Sequence, residues 1–175
     1  MTTPVPVSPD TKDILLNADR VIQADPSSAL TQKQIHMIAV ASALAIKSQG
    51  VLDYLKGKLG ELSAEELTSV KGAVSLMSMN NIYYRTLHLL SEKSYLKERA
   101  NLRMTFMQDP GCDKIDFELM STAVSAINGC GMCLDAHEKT IKADGVSTGS
   151  ILHTIKIGAV MNALGQVIAT DSLNP

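Results

Sequence analysis

Two cysteines, Cys130 and Cys133, stand three residues apart, and His137 follows four residues later. The pattern predicts that both thiols lie at the start of a helix, where unpaired backbone N–H groups and the helix dipole favour a thiolate. One helical turn also brings the two sulfurs close enough to form a disulfide. Cys133 and His137 share one helix face, so a thiol–imidazole hydrogen bond is expected. This spacing is typical of a nucleophilic cysteine with an adjacent base.

A carboxylate on the preceding helix could complete this group. If Asn128-Gly129 is the turn of a helical hairpin, Glu118 lies ~16 Å from the turn along one helix and His137 ~12 Å along the other, at ~1.5 Å per residue. Because the difference is less than one turn, the two side chains can face each other. The carboxylate would orient the imidazole and raise its basicity. We therefore predict a relay from Glu118 through His137 to Cys133, with Cys130 as the partner thiol.

The same residues leave two other interpretations open. The cysteine pair could be half of a zinc site, but zinc needs two further ligands, and only His137 with Cys112 or Glu118 could supply them. The cysteines could also be structural. The helix-start position favours redox chemistry over both alternatives. Cys112 is expected to be a loop thiol without a role.

Composition excludes several classes of protein. The 175 residues fit a single domain, 1–175, and the net charge of −2 with 3% aromatic residues gives no basic or stacking surface for nucleic acid. The N-terminus lacks a basic segment followed by an apolar one, which argues against a signal peptide. The longest apolar run, 38–46, is far shorter than the ~20 residues of a membrane span. We expect a soluble protein without a membrane segment, located in the cytoplasm, where cysteines stay reduced.

Apolar residues recur at helical spacing throughout, and no stretch alternates in the way that strands do. The sequence therefore predicts an all-α fold. In the first half, helices are predicted over 10–23, from a cap at Ser27 or Ser28 to Gly50, and over 51–59. A further helix is capped by Ser63 with Glu66 and is interrupted at Asn80-Asn81 before 82–90, and another covers 94–107. In the last third, one helix runs from a cap at Asp116 to Asn128-Gly129, one runs from the Cys130–Cys133 segment to Asp144-Gly145, and the last is capped by Ser147.

The two halves of the chain are weakly similar. An offset of 84 residues, without gaps, places Leu62-Ser63 on Val146-Ser147 and Met77 on Met161. This predicts an internal duplication, with one unit at about 30–90 and the other at about 114–171. At this offset Glu118, Cys130, Cys133 and His137 fall opposite Gln34, Ile46, Gln49 and Asp53. The first unit would then be a copy without the chemistry.

The arrangement of Glu118, eleven residues, the Cys130–Cys133 pair, three residues and His137 resembles the alkyl hydroperoxidase AhpD family, within the carboxymuconolactone decarboxylase-like superfamily. The flanking sequences Phe117-Glu118-Leu119 and 125–130 also match the family. So do Met79-Asn80-Asn81, Tyr84-Arg85 and Leu102-Arg103-Met104, so that the resemblance covers nearly the whole chain. It implies an all-helical subunit with a duplicated core that assembles as a homotrimer.

The resemblance also implies an activity. The protein would be an antioxidant peroxidase that reduces organic hydroperoxides, or restores the oxidised cysteines of a partner peroxiredoxin, AhpC. Electrons would come from dihydrolipoamide in a lipoyl-bearing protein, with no bound cofactor or metal. Cys133 would attack the peroxide and become a sulfenic acid, and Cys130, as the more exposed thiol, would condense with it. Glu118 and His137 would carry the proton relay.

One residue departs from the family pattern. Relatives can carry a histidine between the two cysteines, where this chain has Met132. A thioether cannot move protons, so we expect slower peroxide reduction, or a role dominated by regeneration of the peroxiredoxin. Two alternatives remain beside the peroxidase: a decarboxylase of the carboxymuconolactone type, and a non-enzymatic helical scaffold stabilised by zinc.

Overall fold

The computed structural model describes residues 11–171, which form seven α-helices and no strand. The predicted all-α class is therefore confirmed for this part of the chain. The predicted start of the first helix at Asp10 and the N-terminal residues 1–6 lie outside the described residues. The helices are α1 (Lys12–Val21), α2 (Gln32–Ala45), α3 (Gln49–Leu59), α4 (Ala64–Leu89), α5 (Lys114–Ile127), α6 (Gly131–Ala143) and α7 (Thr148–Asp171).

Helix α5 lies at the centre of the core. It packs against α2, α4, α6 and α7, and ten consecutive residues, 116–125, are buried. Several of its buried side chains are small, among them Ser121, Ala123 and Ser125, which lets neighbouring helices approach closely. Gly158 of α7 uses this space, because a Cβ there would lie only 3.3 Å from the carbonyl oxygen of Ala123. The helix that carries Glu118 is thus fixed on all sides.

Helices α2 and α4 begin with capping boxes. The Ser63–Glu66 box of α4 was predicted and is confirmed. The prediction for α2 was wrong, because its box is formed by Thr31 and Gln34 rather than by a serine cap at 27 or 28. Ser27 instead bonds to Asp25, and these local side-chain bonds hold a turn ahead of the helix.

The boundary between α2 and α3 also differs from the prediction. Helix α2 ends at Ala45 rather than at Gly50, Lys47 has a φ of 57°, and Ser48 caps α3. Gly50 lies inside α3, where a Cβ would come within 2.7 Å of Cγ2 of Ile168 in α7. This glycine therefore permits close packing between helices and does not terminate one.

Helix α4 continues without a break through Asn80 and Asn81, so the predicted interruption was wrong. Asparagine usually weakens a helix because its amide competes for nearby backbone groups. Here the Asn81 amide bonds instead to the Ser125 hydroxyl of α5, and it accepts a hydrogen bond from Asn128. The Asn81 side chain therefore links α4 to α5, and the α-helical backbone of α4 continues through this residue.

The predicted helix over 94–107 was wrong. The segment contains only two short 3-10 turns, Ser94–Lys97 and Thr105–Met107, and Asn101 between them has a φ of 51°. Phe106 anchors the second turn by packing on Gly72 of α4, where a Cβ would lie 2.0 Å from its Cζ. The ring of Phe106 also packs against the ring of Phe117, at 6.2 Å between centroids. Packing against the core, and not helical periodicity, sets the course of this segment.

The remaining predicted boundaries are close to those observed. Asn128 is the C-cap of α5, Gly129 has a φ of 65°, and the Ser147 hydroxyl accepts the Ser150 N–H at the start of α7. Asp116 was predicted to cap α5, and this was wrong, because the helix begins at Lys114. Asp116 is buried in the first turn of α5, where it pairs with Lys33 at 3.3 Å.

One helix within the described residues, spanning Thr148–Thr170, is long and apolar enough to cross a membrane. A core helix of a soluble protein passes the same test, so this is weak evidence. The helix packs against α1, α2, α3 and α5. The absence of a membrane segment stays a prediction.

Candidate functional site

The hairpin of α5 and α6 brings Glu118 and His137 into contact. Nδ1 of His137 lies 2.7 Å from Oε2 of Glu118, and both side chains are buried. A carboxylate at Nδ1 holds the neutral imidazole in the tautomer that carries its proton on Nδ1, so that Nε2 is left as the acceptor. Glu118 is thereby placed to stabilise an imidazolium whenever Nε2 takes a proton.

The two cysteines form a disulfide at the start of α6, with their Cα atoms 5.3 Å apart. Cys130 is the N-cap residue, and its Sγ accepts the backbone N–H of Cys133 at 3.3 Å. The predicted helix start is thus confirmed. The expectation that Cys130 is the more exposed sulfur was wrong, since Cys130 is 0% exposed and Cys133 is 7% exposed. Burial of the turn before α6 against α4 and α5 accounts for the difference.

A half-open cavity of about 340 Å³ leads to this site. Cys133 and His137 both contribute to its wall, whereas Cys130 does not. The remaining lining is mainly apolar and includes Met77, Asn80, Tyr84, Met104, Met107, Met132 and Ala136. Methionine side chains are flexible and polarisable, so such a cavity can adapt to apolar molecules of varied shape.

Helix α4 holds the turn that precedes the cysteine pair. The Arg85 guanidinium donates a hydrogen bond to the carbonyl of Asn128, and the Asn128 amide donates to Asn81 at 2.9 Å. These contacts fix the α5–α6 turn, and with it the position of Cys130. The sequence pattern gives neither Asn81 nor Arg85 a role, and their only signal is their place among the residues that match the resembling family.

Cys112 lies apart from the cavity, beside Ser69 and Asp116. It is a free thiol, and burial raises its pKa above the usual value. A thiol with a raised pKa is a poor nucleophile at neutral pH. Within residues 11–171, no three histidine, cysteine, aspartate or glutamate side chains are grouped so that they could hold a metal ion.

The sequence is similar to a family model and to several known proteins. The model of the carboxymuconolactone decarboxylase family matches residues 94–170, which include all four site residues. The chain is 47% identical to the alkyl hydroperoxide reductase AhpD of Coxiella burnetii over 157 residues, covering 89% of each chain. It is 43% identical to the AhpD of Streptomyces griseus, over 93% of this chain and 90% of that one. The AhpD of Hyphomonas neptunium is also 43% identical, over 92% and 88%.

The fold and the family model define a helical protein of the carboxymuconolactone decarboxylase class that carries a disulfide-forming cysteine pair. The identity over most of the length of these relatives is more specific: the chain belongs to the alkyl hydroperoxide reductase AhpD family. The resemblance noted from the sequence is confirmed.

Proposed function

We propose that this protein is an antioxidant thiol peroxidase that reduces organic hydroperoxides through a dithiol–disulfide cycle of Cys130 and Cys133. One observation supports the proposal most strongly. A disulfide-forming cysteine pair lies beside a buried Glu118–His137 contact, and Cys133 and His137 line the same cavity. The names of the relatives support the same activity.

In the first step Nε2 of His137 takes the proton of the Cys133 thiol, and Glu118 stabilises the resulting imidazolium. The thiolate attacks the terminal oxygen of the hydroperoxide, a sulfur–oxygen bond forms and the oxygen–oxygen bond breaks. The alkoxide leaves and receives the proton from His137. Cys133 is now a sulfenic acid, and the peroxide has been reduced by two electrons to an alcohol.

In the second step Cys130 acts as the resolving thiol. It attacks the sulfur of the Cys133 sulfenic acid, the disulfide forms, and the hydroxyl leaves with the proton of Cys130 as water. The N-cap position suits this role, because the start of α6 and the Cys133 N–H both stabilise negative charge on Sγ of Cys130.

The third step returns the pair to the dithiol. We propose dihydrolipoamide of a lipoyl-bearing protein as the reductant, which gives up two electrons and two protons as it closes its own disulfide. Cys133 is the sulfur that lines the cavity, so an entering thiol would attack it and release Cys130 as the thiolate. By the same exchange the reduced pair could restore the oxidised cysteines of a peroxiredoxin, AhpC.

The surface supports self-assembly, which we propose is a homotrimer. Large apolar side chains that are at least 36% exposed are concentrated between residues 82 and 107. They are Ile82, Leu89, Leu90, Tyr95, Leu96, Leu102 and Met107. Exposed apolar side chains that are concentrated in one segment are typical of a protein interface. Sedimentation analysis of wild type and Leu89→Glu tests the proposal, which predicts trimers that the charge converts to monomers.

Mass spectrometry after a sub-stoichiometric dose of cumene hydroperoxide tests the activity. The reduced protein should lose two hydrogen atoms across Cys130 and Cys133, the two electrons going to the hydroperoxide, and Cys130→Ser should accumulate a sulfenic acid at Cys133. Dihydrolipoamide should then restore the dithiol of the wild type. A reduced protein that survives the hydroperoxide unchanged would contradict the proposal. We expect this chemistry in the cytoplasm, where the reduced form persists.

The family model gives one reason to keep a decarboxylase as the second candidate. That reaction does not need a cysteine pair, so turnover of a carboxymuconolactone by a variant lacking Cys130 and Cys133 would favour it. Stoichiometric zinc that is lost in Cys130→Ser would instead favour a zinc-stabilised scaffold.

Met132 occupies the cavity wall at the position where relatives can carry histidine. We expect the change Met132→His to raise the rate of peroxide reduction, because an imidazole there could pass protons that a thioether cannot. Stopped-flow kinetics with cumene hydroperoxide measures the rate. An unchanged or lower rate would show that no proton transfer is lacking at this position.

A further inference from the structure

The side chain of Asn80 in α4 has no hydrogen-bond partner. It is 6% exposed, and its Oδ1 is buried without a donor. The next residue, Asn81, is also buried but has both its amide oxygen and its amide nitrogen bonded. Burying a polar atom without a partner costs free energy that an apolar residue would avoid. An exception of this kind suggests a partner that arrives from solution.

The position of Asn80 identifies where that partner binds. Three buried side-chain atoms within residues 11–171 have no partner: Oδ1 of Asn80, Oγ of Ser121 and Nδ1 of His153. Of these residues, Asn80 lines the cavity that holds Cys133 and His137. The rest of the lining is dominated by methionines. The cavity therefore combines an apolar wall, a reactive sulfur and, within that wall, an asparagine whose buried amide oxygen is unpaired.

We propose that Asn80 is a substrate-binding residue that holds the head of the hydroperoxide. No hydrogen bond holds the amide in place, so on binding it turns about its Cβ–Cγ bond and brings Oδ1 to the cavity, where it accepts the O–H of the substrate. The terminal oxygen is then presented to Cys133 while the apolar group lies against the methionines. The assignment rests on the proposed peroxidase function and names the ligand chemistry of that same site: one O–H donor on an apolar body. The reaction is unchanged, with Cys133 gaining the terminal oxygen and the alkoxide leaving as an alcohol.

The variant Asn80→Leu tests this assignment, because leucine keeps the approximate volume and removes the acceptor. Single-turnover oxidation of the reduced full-length protein is followed by quenched mass spectrometry with cumene hydroperoxide and with hydrogen peroxide. We expect both rates to fall about two- to tenfold, the range for loss of one hydrogen bond. Both should fall equally, because the two peroxides share the O–H head and differ only in the apolar group.

Alkylation of the reduced protein by iodoacetamide separates binding from activation of the thiol. Alkylation measured on the Cys133 peptide depends on the thiolate of Cys133 and needs no acceptor on Asn80, so its rate should not change in Asn80→Leu. The thermal midpoint should stay the same or rise, because an unsatisfied buried atom has been removed. Ser121→Ala is the matched control. It removes another buried unpartnered oxygen, away from the cavity, and should leave both peroxide rates unchanged.

The possible results are distinct. Peroxide rates equal to wild type in Asn80→Leu would overturn the assignment, as would a parallel fall in alkylation, which would place Asn80 in thiol activation. Asn80→Ala makes the same prediction and decides the matter if the leucine variant does not fold. A wild-type protein that neither peroxide oxidises would contradict the proposed function itself, and this assignment with it.

Discussion

The helices α2, α3 and α4 and the helices α5, α6 and α7 follow one another in the same order with similar lengths. The starts of α2 and α5, and of α3 and α6, are 82 residues apart, and those of α4 and α7 are 84 apart. Helix α6 has 13 residues and α3 has 11, which accounts for the change of offset. A single gapless offset of 84 therefore fits only the third pair of helices. An internal duplication remains our proposal, and these bounds support it.

The offset of 82 changes which residues correspond. Cys130 falls opposite Ser48, Cys133 opposite Val51, His137 opposite Leu55 and Glu118 opposite His36. Ser48 and Cys130 are both N-caps, and each accepts the backbone N–H of the third residue after it. Val51 and Leu55 are fully or almost fully buried. The first unit keeps the cap and has buried apolar residues where the second has Cys133 and His137. On our proposal, the same hairpin therefore serves stability in one unit and chemistry in the other.

The largest expected effect comes from giving α6 the residue found in α3. We expect Cys133→Val to fold, since Val51 occupies the matching position, and to lose at least about 10³-fold in peroxide reduction because the nucleophile is gone. Peroxide consumption and circular dichroism measure the two properties. Cys112→Val is the control and should keep full activity, because Cys112 lies outside the cavity. Activity that survives in Cys133→Val would remove the basis for assigning chemistry to this unit.

A second exchange, His137→Leu, copies Leu55. It leaves the buried Glu118 carboxylate without its partner, so we expect a loss of about 1–3 kcal/mol in the free energy of unfolding. Peroxide reduction should fall by about 10²–10⁴-fold with the loss of the general base. Urea denaturation and steady-state kinetics measure the two effects.

The double variant Glu118→Gln/His137→Leu separates these effects. It removes the buried charge, so stability should largely return while activity does not. Recovery of activity in the double variant would contradict the relay.

The third prediction concerns Gly72, which corresponds to the exposed Lys156 in α7 at an offset of 84. The difference is that Phe106 covers α4 at Gly72. We expect Gly72→Ala to displace Phe106 and destabilise the protein by about 1–3 kcal/mol. Because Met104 and Met107 line the cavity on either side of Phe106, KM for cumene hydroperoxide should rise more than KM for hydrogen peroxide. Equal changes would show that this segment does not contact the apolar group of the substrate.

The sequence predicted the arrangement of Glu118, the cysteine pair and His137 better than it predicted the bounds of the elements around them. The positions of Glu118, the cysteine pair and His137 follow from local rules, namely the helix rise and the turn at Asn128-Gly129. These rules apply because α5 and α6 are neighbours along the chain.

What could not be predicted depends on contacts between distant residues. The sequence predicts a helix end at Gly50 because the closeness of Gly50 to Ile168 is not visible in it. It predicts a break at Asn81 because the partners of Asn81 lie on α5 and the following turn. The segment 94–107 has helical spacing, but Phe106 packs it against the core in another form. The burial of Cys130 likewise depends on the helices that cover it, and local sequence rules do not predict that packing.

The smallest effect tests the cap that the two units share. Under reducing conditions Cys130→Ser should match the wild type in thermal stability within about 0.5 kcal/mol, because Ser48 performs the same capping role in α3. Cys130→Ala removes the acceptor for the Cys133 N–H and should cost about 1 kcal/mol. Neither variant can form the disulfide, so both should stop at the sulfenic acid. Comparison of their unfolding midpoints therefore measures the cap alone. If the two midpoints coincide, the sulfur of Cys130 contributes nothing to the start of α6, and only its redox chemistry distinguishes it from Ser48.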